Sequence, residues 1–136
     1  MRNDDSVVLE ARYDDVSIVL LGDIGQEVEA MVAQSLEEVP FRVVKVPHHG
    51  SGGASSPAWI AATRPCVAIV SAGRSNPFGH PVPEVTARYR AAGALVLETG
   101  RHGAITLETN GRVVTLRTQT GERFRFQARG DGCGAT

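Results

Sequence analysis

Hydrophobic positions fall into short β-branched runs that alternate with stretches of helical spacing. Val7–Ala11 and Val16–Leu21 are two such runs, separated by Tyr13-Asp14-Asp15, which predicts a hairpin. Gly22-Asp23 ends the second run, and the period then changes. Ile24, Val28, Met31, Val32 and Leu36 share one face of a helix that Pro40 closes. Phe41–Val46 predicts a buried strand and Pro47–Ser56 a loop rich in glycine and serine. Ser56 before Pro57 has the form of an N-cap followed by proline at the first helical position. That helix is brief, ending near Thr63 and before Pro65. Cys66–Ser71 predicts another buried strand and Ala72–Pro81 a second loop. Pro83–Ala92 predicts a helix with Val85, Tyr89 and Ala92 on one side and Gly93 as its stop.

The last third is strand-like. Ala94–Glu98, Ala104–Glu108 and Val113–Arg117 read as strands, Asn110-Gly111 predicts a two-residue hairpin turn, and Phe124 with Phe126 adds a short strand. The order β-β-α-β-α-β-α-β-β-β is a layered α/β pattern with antiparallel pieces at both ends. Residues 1–128 are expected to form one unit and the polar, glycine-rich residues 129–136 a disordered tail.

Composition narrows the function classes. Fourteen basic against fifteen acidic residues give a net charge of −1, which excludes a chain held to nucleic acid or membrane by bulk positive charge. No apolar run approaches the ~20 residues of a membrane span. The opening MRNDDSVV lacks the charged-then-apolar order of a signal peptide, so a soluble chain is expected. Two cysteines are too few for a disulfide framework. Cys66 reads as a small buried hydrophobe, and neither cysteine has a neighbour for a zinc ribbon.

The candidate chemistry lies in three loops that follow three buried strands, the edge where layered α/β folds usually bind ligands. Asp23 reads first as a helix N-cap, with Gln26 completing a capping box, and second as a metal ligand; the roles are compatible. His48-His49-Gly50-Ser51 reads either as an ordinary exposed loop or as a site. In the site reading one histidine binds a metal while the other orients or contacts substrate. Ser71 to Pro81 reads either as a turn before a helix or as a substrate loop in which Asn76 and His80 donate to phosphate or carbonyl oxygen. His102 reads as a turn residue. Gly50–Gly53 lacks the Gly-Lys-Ser/Thr ending of a phosphate loop.

In combination these motifs resemble one family. Leu20-Leu21-Gly22-Asp23 precedes a helix carrying Glu27 and Glu29. Then follow Val44-Lys45-Val46-Pro47-His48-His49-Gly50-Ser51, Ser55-Ser56, Arg64-Pro65, Ala68–Ser71, Gly73, Asn76, Gly79-His80-Pro81, and Thr99 before a Gly103–Leu107 strand. The string is similar to the metallo-β-lactamase-like domain of the ComEC/Rec2 DNA-uptake proteins, from about Asn3 to Arg117. The resemblance implies half of an αββα sandwich, a mixed sheet with flanking helices and a dinuclear Zn or Mn site at the strand ends. It implies Asp23 and one of His48 and His49 as metal ligands, without deciding which histidine. It implies His80 and Asn76 as catalytic groups, Ser51, Ser71, Asn76 and His80 on the substrate side, and Lys45 in support. The reaction implied is attack of a metal-activated water on a phosphodiester.

The family's first metal motif, His-x-(His/Asp)-x-Asp-His, is absent, since no histidine precedes His48. The match is therefore to the C-terminal half of the domain. This leaves three readings: part of a DNA-cleaving hydrolase, completed by an N-terminal half within a parent membrane protein; a stand-alone hydrolase of another ester or lactam; and a catalytically incomplete fragment. A half-sandwich is also expected to expose an apolar sheet face and to dimerise.

Overall fold

The computed structural model describes residues 5–129 and Cys133. Among these residues eight strands and four helices follow in chain order: β1 Leu9–Tyr13, β2 Val16–Leu20, α1 Gln26–Ser35, β3 Phe41–Lys45, α2 Pro57–Thr63, β4 Val67–Val70, α3 Pro83–Ala91, β5 Leu95–Glu98, the single turn α4 Thr99–His102, β6 Ile105–Thr109, β7 Val113–Thr118 and β8 Arg123–Gln127. A 3-10 turn over Pro47–Gly50 follows β3. The first five strands form one sheet in sequence order, β1 antiparallel to β2 and β2 to β5 parallel; β6, β7 and β8 form a second, antiparallel sheet.

Register explains the layering. Val19, Val44, Ala68 and Val96 are paired across the large sheet, so their side chains share a face. That face packs against Val28 and Val32 of α1, Trp59 and Ile60 of α2, and Val85 and Tyr89 of α3. The alternate positions Val16, Phe41, Val43, Val67 and Leu97 point the other way and pack on Val114, Leu116 and Phe126 of the small sheet. Burial on both faces is why β3 and β4 are nearly continuous runs of apolar residues. The small sheet alternates instead: Leu116 and Phe126 point inward, Arg117, Arg123 and Arg125 outward.

The small sheet does not cover the whole face. Leu9, Ala11 and Tyr13 of β1 pair with Leu20, Ile18 and Val16 of β2 on the same side, and β1 is exposed along its length. Leu9, Tyr13 and Leu20 are among the exposed large hydrophobic side chains, together with Val7. Among the described residues no helix is long and apolar enough to cross a membrane.

Three expectations need correction. Helix α1 starts at Gln26 with Gly25 as N-cap and no side-chain capping bond, so Asp23 and Gln26 do not form a capping box. Its inward face is also rotated: Met31 is 69% exposed, and Glu29 is fully buried in its place. The β6–β7 connection is longer than two residues, because Thr109 pairs with Val114. The Asn110 side chain accepts from the amides of Arg112 and Val113 and so holds a wider turn.

The cysteines also behave differently. Cys66 is buried as expected, but its sulfur is bonded to Cys133, 67 residues on, and no described cysteine is free. Arg129 donates from two nitrogens to the Asp15 carboxylate (2.7 and 2.8 Å), and this pairing holds its guanidinium pKa above the ordinary value. The other residues expected in a disordered tail, 130–132 and 134–136, lie outside the described residues.

Candidate functional site

The four parallel strands β2 to β5 all end at one edge, and the chain leaving each contributes to one cavity. Asp23 follows β2, His48 and His49 follow β3, Ser71, Ala72, Gly73, Asn76, Phe78 and His80 follow β4, and Thr99 follows β5. The cavity has a volume of about 560 Å³.

Main-chain bonds fix these loops to one another. The His48 amide donates to the Gly22 carbonyl (2.8 Å), Val46 to Ile69 (2.8 Å) and Val82 to Gly50 (3.0 Å). The Asp23 amide donates to the Ser6 hydroxyl (3.1 Å). Thr99 Oγ1 accepts from the Ala72 amide (3.0 Å) and donates to the Ala72 carbonyl (3.1 Å), clipping the β4 loop to the start of α4.

His48 and His49 both have left-handed backbone, φ 51° and 54°, which turns the chain sharply and sends their rings to different neighbours. His49 Nδ1 lies 2.7 Å from the Ser71 carbonyl, an oxygen that only accepts, so Nδ1 carries the proton. In the neutral ring Nε2 is then the lone-pair nitrogen, and it lies 3.4 Å from Asp23 Oδ1. His48 packs instead against His80, ring centres 6.0 Å apart and nearly perpendicular, and Phe78 continues the row at 5.9 Å from His80. Asp23 and His49 are both close to half exposed, as groups must be to meet a ligand.

Gly50 makes the tight path possible. Its φ is +83°, and a Cβ there would sit 2.4 Å from Pro81 Cβ. Gly50→Ala is therefore expected to cost about 2 kcal/mol or more, from left-handed strain plus overpacking. The check is urea unfolding; an unchanged midpoint would mean that the two loops separate freely.

Support from beneath comes from Glu29. Its buried carboxylate accepts from the amides of Ser55 and Ser56, the latter at 3.1 Å. Ser55 Oγ meets the Tyr89 hydroxyl at 2.8 Å, and Arg88 donates to the Ser55 carbonyl at 3.1 Å. Burial pushes the Tyr89 phenol up to about 12, with Ser55 and Trp59 pulling the other way. Ser56 caps α2, its side chain accepting from the Trp59 amide (3.1 Å), as its place before Pro57 predicts.

The structure brings Asp23, His48, His49, Ser71, Asn76 and His80 to one cavity. Ser51 does not line it: its hydroxyl accepts from the Gly53 amide, a local turn. Lys45 is on the sheet face opposite the helices, in register with Leu20 and Ile69. Asn76 Oδ1 accepts from the Phe78 amide (2.8 Å) and so shapes its own loop. His102 Nδ1 lies 3.0 Å from both the Glu98 amide and carbonyl, and its Nε2 lies 3.4 Å from Glu122, tying α4 to the small sheet. Sequence reasoning assigned no role to Phe78 or Thr99. Among the described residues, no three of the His, Cys, Asp and Glu side chains are grouped so as to hold a metal ion.

The molecule is thus an α/β chain with a cavity at the ends of its parallel strands, marked by an oriented histidine–aspartate pair. Comparison with known proteins supplies its relatives. It is 33% identical over 115 residues to ComE operon protein 3 of Bacillus subtilis, an overlap of 85% of this chain and 15% of that protein. It is 31% identical over 104 residues to Competence protein ComA of Neisseria gonorrhoeae, 76% of this chain and 15% of that protein. It is 38% identical over 79 residues to Recombination protein 2 of Haemophilus influenzae, 56% of this chain and 10% of that protein. The chain is therefore a homologue of one segment of bacterial competence proteins, spanning about 15% of the length of the first of these relatives. No family model and no solved structure matches it.

Proposed function

We propose that this chain is one half of a metal-dependent phosphodiesterase domain of metallo-β-lactamase type, acting on DNA during its uptake. The observation that carries the reading is the His49 ring: its proton is fixed toward the Ser71 carbonyl, and its second nitrogen is aimed at Asp23 in a cavity at the strand ends. A ligating histidine is commonly oriented in this way by a carbonyl behind it. The imidazole and carboxylate donors suit Zn- or Mn-class cations. Asp23 and His49 are the residues that would hold such an ion, and His48, packed on His80, is not. The ion would supply Lewis acidity at a phosphodiester oxygen. His80 and Asn76 line the same cavity and have N–H groups to donate to a phosphate oxygen.

Two donors do not complete a site, so this reading takes the remaining ligands from outside the chain. The names of the homologues support a DNA-related context for the reading. The exposed apolar side chains of β1 and β2, with Leu9, Tyr13 and Leu20 on one face, provide a surface for the other half of the sandwich.

Calorimetric titration with Mn²⁺ or Zn²⁺ tests the proposal. One ion is expected to bind the wild-type chain, with binding lost in Asp23→Ala and in His49→Ala and kept in His48→Ala. Equal binding by all four chains, or none by the wild type, would overturn the assignment.

A further inference from the structure

Phe78 is the most exposed large hydrophobic side chain among the described residues, at 77%, yet it lies on the wall of the candidate cavity. A surface aromatic gains nothing from folding in that position. It stands at the outer end of a row of rings, Phe78, His80, His48, that runs into the cavity. Its loop is shaped rather than loose, with the Phe78 amide bonded to Asn76 Oδ1 and the Gly79 amide to the Asn76 carbonyl (3.1 Å).

The same loop carries Arg74. The cavity wall at Ala72, Gly73 and Thr99 is shared with neighbouring hollows lined by Arg74, Glu98, Gly100 and Arg101, so these arginines stand next to the cavity. Arg74 Nε donates to the Gly100 carbonyl (3.2 Å), which anchors one side of an exposed guanidinium. The approach depends on Gly100: a Cβ there would lie 3.0 Å from the Ala72 carbonyl and 3.2 Å from the Arg74 backbone. Among the described residues Arg74 makes no salt bridge, whereas Arg101 is held by Glu98 at 3.6 Å.

An exposed ring with an oriented, unneutralised arginine four residues away is the combination that grips single-stranded nucleic acid. Every base offers a π face, and every linkage offers a phosphate. Paired bases inside a duplex keep their faces covered. We infer that the 71–80 loop is a single-strand clamp, with Phe78 stacking one unpaired base and Arg74 holding a backbone phosphate at the mouth of the cavity. The inference rests on the phosphodiesterase reading for its substrate class, and it adds the residues that select the strand form.

Fluorescence anisotropy with a labelled 20-nucleotide oligothymidylate, in a salt series beginning at low ionic strength, tests it. Phe78→Ala is expected to weaken binding about tenfold without changing the salt slope. Arg74→Gln is expected to weaken binding and to reduce the slope of log K against log salt by about 0.7. A duplex of the same length is expected to bind more weakly and to ignore Phe78→Ala. Circular dichroism confirms that the variants fold, as both side chains are exposed. If the wild type binds and both variants match it, the clamp is wrong while the hydrolase reading stands. A wild type that takes up metal but no oligonucleotide likewise overturns the clamp alone. A wild type that binds as expected without taking up metal keeps the clamp and removes the metal site.

Discussion

Cys133→Ser is expected to lower the unfolding free energy by about 4 kcal/mol, the chain-entropy value for a closed loop of this length. The bond joins Cys66, at the buried start of β4, to a segment beyond the last strand. Breaking it returns freedom to nearly half the chain in the unfolded state. Reduction of the wild type should produce the same loss, and Cys133→Ser should then be insensitive to reductant. Urea unfolding with and without dithiothreitol makes the measurement, beside a thiol titration of the untreated chain. Equal midpoints under both conditions would show that the linkage does not contribute.

Glu29→Ala should cost about 3 kcal/mol, through two losses that add. The amides of Ser55 and Ser56 lose their acceptor in a buried place, and a cavity opens where the carboxyl group was. Asp23→Ala, by contrast, removes a partly exposed group and should change stability by well under 1 kcal/mol. Chemical denaturation of the two variants beside the wild type separates a buried, supporting carboxylate from one that faces the cavity. The prediction fails if Glu29→Ala and Asp23→Ala unfold at the same urea concentration. Tyr89 shares the network, but its hydroxyl meets Ser55 side chain to side chain, so it cannot replace the carboxylate at the two amides.

The contrast between these residues shows what the sequence could reveal. Strands β2 to β5, the Ser56 cap and the end of α2 were legible because their signals are local: β-branched runs, a serine before proline, a proline after a helix; α1 ends at Ser35, well before the Pro40 read as its stop. Glu29 was not legible, because its partners are backbone amides 26 and 27 residues away, and periodicity assigned its inward place to Met31. The Cys66–Cys133 bond carries no spacing signal across 67 residues. At the site, the loops carrying Asp23, His48, His49, Ser71, Asn76 and His80 could be picked out from their positions after strands. The difference between His48 and His49 depends on positive φ angles and on the Ser71 carbonyl, neither of which a residue string displays. Ser51 was drawn in by its neighbours; it lies outside the cavity lining, with its hydroxyl accepting from the Gly53 amide.

The loops around the cavity are joined chiefly by peptide groups: Gly22 to His48, Ile69 to Val46, Gly50 to Val82. Peptide groups are common to every residue except proline at its nitrogen, so substitution of the ring or carboxylate side chains leaves these ties in place. Scaffold and chemistry are in this sense separable. A chain built this way can exchange its cavity side chains one at a time and keep its shape throughout. Across a lineage, such a cavity is free to change its lining long before it loses its fold.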